Sequence, residues 1–281
     1  MAASREPRVA ADYVPGCSTI VRRTCLEIAT RLGDFGGEMR VVGGLVPSLI
    51  IDQANRAAGV DAHIGTIDLD LGLSIVVLDE QLYEQIAKRL HEAGFTPDEN
   101  PSGNPTAQRW RSAHGATVDF LIPPASAADK GGRLRNLDEE FAAIITPGLD
   151  LAFEDSQEVT IRDTLPAGGG IVERSIHVCG PGAYTVLKAL AFNNRGKPKD
   201  AYDLYYVIRN HAAGIEQIAA KIQRFGERPE IQQATGILKR DFMHVDSIGP
   251  VRVAEFLGAP DVNLQADVAG EIRALLDNLP S

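Results

Sequence analysis

The sequence predicts an α/β (α+β) fold over residues 1–180 and a helical domain over residues 181–281. Three observations predict it. Apolar runs of strand length recur up to residue 180, broken by glycine and proline. A double glycine, Gly43-Gly44, closes the first of these runs. After Pro181 the apolar residues recur at three- and four-residue spacing, the period of helices.

The elements follow in order. Residues 1–17 read as a loose start. Ile20, Val21, Leu26, Ile28, Ala29 and Leu32 make 18–32 a helix with arginines on its other face. Residues 39–42 form a short apolar strand ending at Gly43-Gly44. Residues 46–58 read as a helix with Pro47 in its first turn, where proline is tolerated. Residues 59–65 connect it to an alternating strand over 66–73, whose apolar run extends to Val77. Leu82, Ile86, Leu90 and Ala93 line one face of a helix over 80–93, and Gly94 stops it. A turn-rich loop is expected over 97–105. A hairpin of strands 107–112 and 117–122 turns around His114-Gly115. After a second loop over 123–132, residues 138–145 read as a short helix. Strands follow at 158–162 and 171–178, then helices over 182–194, 200–210, 215–225, 231–242 and 262–279.

Composition narrows the function classes. With 44% hydrophobic and 23% charged residues, the 281-residue chain is neither disordered, coiled-coil nor collagen-like. A net charge of −10 opposes a protein that coats nucleic acid, but permits a local basic cleft. The three cysteines, Cys17, Cys25 and Cys179, are odd in number and lack a CxxC pair, so neither a disulfide framework nor a zinc site is expected. The N-terminus lacks the apolar segment of a signal peptide, and the longest apolar runs are too short to cross a bilayer. A cytoplasmic protein with no membrane partner is the expectation.

The chemistry lies in three separated pieces: VVGG at 41–44, TIDLDL at 66–71 and TVDFLI at 117–122. Side chains two apart on a strand share a face, so Asp68 and Asp70 point the same way. Adjacent carboxylates repel unless a cation sits between them, and magnesium takes one or two carboxylates plus phosphate oxygens. Asp119, an acid inside an apolar strand, completes the set if its strand lies alongside. Gly43 and Gly44 let the backbone approach a triphosphate, and the N-terminus of the following helix favours the anion. Thr66 lies two residues before Asp68, with a hydroxyl suited to bonding phosphate or to carrying a modification; as a β-branched strand residue it is equally well explained. Arg109 and Arg111 flank Trp110 and suit an acceptor phosphate or a solvated strand face. Among six histidines without metal-ligand spacing, His63 lies nearest the acids.

A second informative stretch is YTVLKALAFNNRGKPKDAYDLYYVIRN at 184–210. Lys188 sits on an apolar helix, which is unusual for an unpaired lysine. Arg195 follows two turns later on the same face. Gly196 reads as a C-cap and Asp200 as the next N-cap. Lys188, reaching into a cleft, would meet the phosphates of a nucleotide.

The three-piece pattern resembles the polymerase-beta-like nucleotidyltransferase superfamily: a strand, Gly43-Gly44, then Asp68 and Asp70 on a second strand, then Asp119 on a third. Position 45 is Leu rather than a phosphate-bonding Ser, and the gap from Gly44 to Asp68 is long. Lys188, Arg195, Lys197, Lys199, Asp200 and Asp203 fall in order on the block of the AbiEii/MenT-type nucleotidyltransferases, toxins of toxin–antitoxin systems. The resemblance covers about residues 41 to 210.

It implies a mixed-sheet nucleotidyltransferase core followed by a helical domain, with the active site in the cleft between them. The implied reaction moves a nucleotide from NTP to a hydroxyl, on the 3′ end of tRNA in some members, with a cognate antitoxin as partner. Asp68, Asp70 and Asp119 would hold Mg2+, as a two-metal site, and Asp119 would act as general base. Gly43, Gly44, Thr66, Lys188 and Arg195 would bind the nucleotide. Asp200 would orient Lys188 or a neighbouring base. Two alternatives stay open: modification of a small molecule such as an aminoglycoside, and a non-catalytic descendant that binds a nucleotide or a protein.

Overall fold

The computed structural model describes residues 7–53, 61–74, 80–100, 102–166 and 168–279. It is a mixed α/β structure whose chain divides into two compact units. The sheet unit comprises Pro15–Leu45 and Gly65–Cys179; the helical unit comprises Gly180–Ser281 with Val46–Ile64 and Ser4–Val14. Residues 46–64, inside the 1–180 span, thus group with the later helices.

The sheet unit opens with helix α1 (Cys17–Arg31) and strand β1 (Met39–Val42). Strand β2 (Asp68–Leu73) pairs antiparallel with β1. Helix α3 (Glu80–Glu92) is followed by β3 (Thr96–Glu99), β4 (Pro105–Arg111) and β5 (Thr117–Ile122). The unit continues through β6 (Leu134–Asn136), β7 (Ala142–Ile145), the short helix α4 (Leu151–Glu154), β8 (Ser156–Thr164) and β9 (Ile171–Cys179). Strand order is β3-β4-β5-β2-β1-β9-β8, with β7 on β5 and β6 on β7. The pairs β2–β5, β1–β9 and β5–β7 are parallel; the others are antiparallel.

Alternation along the central strands sorts this sheet into two faces. Leu69, Leu71 and Leu73 on β2, with Val118, Phe120 and Ile122 on β5, are buried on one face. Trp110, opposite Val118, joins them. Helices α1 and α3 cover this face: Phe141 stacks near Tyr83 and Phe120, and His91 meets the Trp110 ring edge-on at 4.9 Å. The opposite face carries Asp68 and Asp70 from β2 and Thr117 and Asp119 from β5.

The helical unit contains α2 (Val46–Ile50), α5 (Pro181–Arg195), α6 (Pro198–Asn210), α7 (Gly214–Arg224), α8 (Pro229–Phe242), α9 (Ile248–Leu257) and α10 (Val262–Asp277). Proline opens α5, α6 and α8, where its missing N–H costs nothing. Gly196 ends α5 at φ +61°, a left-handed turn that glycine makes without strain. Phe192 packs on Phe242, and Tyr202 on Phe256, in the core of this unit. Among the described residues no helix is long and apolar enough to cross a membrane.

Several sequence expectations are corrected. The helix expected over 46–58 stops at Ile50. Gln53 accounts for the stop: its side chain donates to the Ile51 carbonyl and accepts from the His63 N–H, tying the chain into a different path. Residues 54–60 lie outside the described residues, as do 75–79 of the run expected to reach Val77. The helix expected over 138–145 is strand β7, because Ile144 and Ile145 find ladder partners in Leu121 and Ile122. The loop expected at 97–105 contains β3, an edge strand that accepts Pro97. Strand β6 and helix α9 were not foreseen; Gly249 and Pro250 at the start of α9 disguise it as a turn.

Phe120 is fully buried at the centre of the apolar face. Phe120→Ala is expected to cost the sheet unit about 3–5 kcal/mol in urea unfolding, through lost burial and a residual cavity.

Candidate active site

The antiparallel register of β1 and β2 pairs Val42 with Asp70, which brings the next residue, Gly43, against that carboxylate. Gly43 adopts φ +68°, and a Cβ built there would lie 1.8 Å from Asp70 Oδ2. Glycine is required twice, by backbone sign and by space. Gly44 is buried in the same short turn, Gly43–Leu45.

The parallel register of β2 and β5 places Asp70 directly beside Asp119, and Asp68 beside Thr117. Neighbouring strands stand about 4.8 Å apart, so the Asp70 and Asp119 side chains leave the sheet side by side. Asp68, two residues from Asp70, shares their face. The strand register therefore puts Asp68, Asp70 and Asp119 on one face of the sheet. Asp68 Oδ1 accepts a short hydrogen bond from the Thr117 hydroxyl.

Arg109 on β4 lies opposite Asp119 and grips it with both arms: Nε to Oδ1 at 2.8 Å and Nη2 to Oδ2 at 2.5 Å. This fork raises the Arg109 pKa above its usual value; burial opposes the shift, while the charges of Asp119, Asp68 and Asp70 add to it. Arg111 is committed to Asp98, with Nε 2.8 Å from Oδ1. Both arginines, considered for an acceptor phosphate or a solvated strand face, form ion pairs with acids of the same sheet. Trp110 points to the opposite, buried face as expected.

Thr66 is a second correction. It precedes the strand, which begins at Asp68, so it does not extend the strand face. Its buried hydroxyl turns back to donate to the Asp68 carbonyl at 3.1 Å, and its N–H donates to Ser18 Oγ. The helix N-terminus expected beyond Gly44 is a third: α2 has five residues, too few for a developed macrodipole.

The donor set fits a divalent metal in chemistry. Hard carboxylate oxygens stand on one face, beside a glycine whose missing Cβ keeps Asp70 uncrowded. Among the described residues no three acidic, histidine or cysteine side chains form a ready-made metal cage. Magnesium does not need one, since substrate oxygens and water complete its shell.

Lys188, Arg195 and Asp200 lie in the helical unit, in one buried network. Lys188 Nζ donates to Asp200 Oδ1 at 3.0 Å and to Asp203 Oδ2 at 2.9 Å. Arg195 grips Asp200 bidentately, and Lys199 bonds Asp203 at 2.6 Å. Asp200 was expected as an N-cap; Lys197 holds that position, and Asp200 sits inside the first turn with its carboxylate committed to Lys188 and Arg195. Burial opposes charge on Lys188, yet Asp203 and Asp200 hold its pKa above the usual lysine value. For Lys199 burial prevails and the pKa falls. Burial works to raise Asp203, but Lys188 and Lys199 outweigh it and the pKa is depressed.

His63 completes this network, with Nε2 2.9 Å from Asp203 Oδ1 and its ring stacked on Tyr202. Burial lowers its pKa to about 4, against the pull of Asp203. Sequence reasoning placed His63 near the acids of the sheet, yet its ring bonds Asp203, 140 residues away. The pairing of Arg109 with Asp119 was missed as well. The hairpin itself held the signal: a turn centred on His114 sets residues 109 and 119 opposite each other.

No protein-family model matches the chain, and no curated protein matches it.

Two outcomes are expected. Gly43→Ala should lower stability by more than Gly115→Ala, whose φ of +89° carries the same backbone cost, about 1–2 kcal/mol, with open space around it. Urea unfolding of both variants isolates the close approach to Asp70. The second concerns acid. Unfolded His63 takes up its proton near 6.5 and folded His63 near 4, so unfolding binds protons between those values. Stability should fall by about 3 kcal/mol as pH drops through that window. The fall should be smaller in His63→Asn, measured by denaturation at a series of pH values.

Proposed function

We propose that the chain is a metal-dependent nucleotidyltransferase that moves a nucleotide from NTP to a hydroxyl acceptor. The observation that carries this reading is the in-register pairing of Asp70 with Asp119, with Asp68 on the same face and Gly43 against Asp70. A bound magnesium ion would neutralise and orient the phosphates and lower the pKa of the attacking hydroxyl. Asp68 and Asp70 are the residues to hold it, with Asp119 joining them. Asp119 is also the base to which the acceptor hydroxyl gives its proton. The Gly43-Gly44 turn admits the polyphosphate to the backbone. From the resemblance, Lys188, which Asp200 and Asp203 hold charged within the helical unit, is the residue to neutralise phosphate. Arg195 adds a half-exposed guanidinium to the same network.

The acceptor and the biological role come from the AbiEii/MenT-type resemblance alone: the 3′ end of tRNA, and a growth-inhibiting toxin restrained by a cognate antitoxin in the cytoplasm. The net charge of −10 supports one feature of this reading, a site engaging one triphosphate and one RNA end rather than a surface with high affinity for RNA at large.

The test incubates the full chain with each labelled NTP, Mg2+ and total RNA, beside Asp68→Ala. Label on RNA that disappears in Asp68→Ala is the expected result. Label that survives the substitution overturns the mechanism, and label on a small molecule but not on RNA overturns the tRNA acceptor.

A further inference from the structure

We propose that Arg109 is a displaceable counter-ion of the carboxylate cluster: a divalent cation releases it from Asp119, and the freed guanidinium then takes an anionic group of the nucleotide. The inference rests on the nucleotidyltransferase reading above and deepens it by naming how that site is gated.

Geometry sets the competition. The arms of Arg109 reach both oxygens of Asp119, at 2.8 Å and 2.5 Å. A fork of this kind uses the lone pairs that face outward from both oxygens, which are also the ones that chelate a metal. A cation on Asp119 would also face a guanidinium at hydrogen-bond distance, and like charges that close repel strongly. Arg109 and a metal therefore compete for Asp119.

The two partners differ in their freedom to move. The Asp119 side chain is 9% exposed and fixed on a strand flanked by β2 and β4. The Arg109 side chain is 38% exposed, so its long stem can swing into solvent at little cost in packing. The neighbouring arginine on this face, Arg111, is held by Asp98. Arg109 is the one whose carboxylate partner belongs to the cluster. Its charge also lies in the field of Asp68 and Asp70, so cations entering the cluster meet it whichever acid they bind first.

A released guanidinium stays on the same face as the acids, with five planar donors matched to phosphate. Metal and nucleotide would then strengthen each other's binding, and by linkage the coupling is reciprocal. In the metal-free protein the fork keeps both Asp119 oxygens occupied.

The test is calorimetric titration of Mn2+ into the full chain without nucleotide, for wild type, Arg109→Gln, Arg109→Lys and Asp68→Asn. Near-ultraviolet circular dichroism confirms that each variant is folded. Arg109→Gln is expected to bind Mn2+ about tenfold or more tightly than wild type, because a competing cation is gone. Arg109→Lys, charged but unable to fork, should fall between them, and Asp68→Asn should bind more weakly than wild type. With Mn2+ present, Arg109→Gln should bind a non-hydrolysable NTP analogue more weakly than wild type. Unchanged or weaker Mn2+ binding by Arg109→Gln, with binding still lost in Asp68→Asn, overturns the gating role and leaves the nucleotidyltransferase reading standing. Absence of Mn2+ binding in both wild type and Arg109→Gln overturns that reading, and this inference with it.

Discussion

Strands β2 and β5 pair in parallel, so no tight turn can join them, and what fixes their register is the surface they bury together. Leu69, Leu71, Val118 and Phe120 all face one side, against α1, α3 and Phe141. A slip of β5 by one residue would turn Val118 and Phe120 to the other face and drive Asp119 into the core. Burying unpaired carboxylates costs several kcal/mol each, so the apolar face and the acidic face enforce the same alignment. The side-by-side placement of Asp70 and Asp119 is thus set by hydrophobic residues on the opposite face. The same logic extends to β1, where the Val42–Asp70 pair positions the Gly43 turn.

This explains which features could be read from the sequence. Face sharing by Asp68 and Asp70 follows from local period, and so does the antiparallel hairpin of β4 and β5. Both are properties of a few consecutive residues. The long helices after Pro181 were legible for the same reason, because their apolar residues repeat over three or four turns. Elements that depend on a distant partner were not legible. Residues 142–145 become a strand because Leu121 and Ile122 offer a ladder edge. The helix after Gly44 ends early because Gln53 bonds His63. Thr66 looked like part of a strand until its hydroxyl turned to its own backbone. At the candidate site, the acids were visible as chemistry, while their counter-ions were not: His63 and Asp203 are far apart in sequence, and Arg109 reads as an ordinary solvated arginine until its strand partner is known.

The two charge networks differ in a way that bears on function. In the helical unit Lys188, Asp200 and Asp203 are deeply buried, and each bonds to more than one partner. Removing one member of such a network strands its partners without water, which costs about 3–5 kcal/mol. A network with that penalty holds its groups in place and keeps Lys188 charged. In the sheet unit Asp68, Asp70 and Asp119 share the field of Arg109, which sits partly in solvent on a flexible stem. The guanidinium is partly screened by water and salt, while its carboxylate partner is buried. Loss of Arg109 without a replacement would strand the buried Asp119; under the proposed release a divalent ion would supply that charge. The Lys188, Asp200 and Asp203 side chains are thus all buried, while the other network includes a guanidinium that is partly exposed to solvent. A net charge of −10 says nothing of this distribution, because it counts the acids of both networks alike.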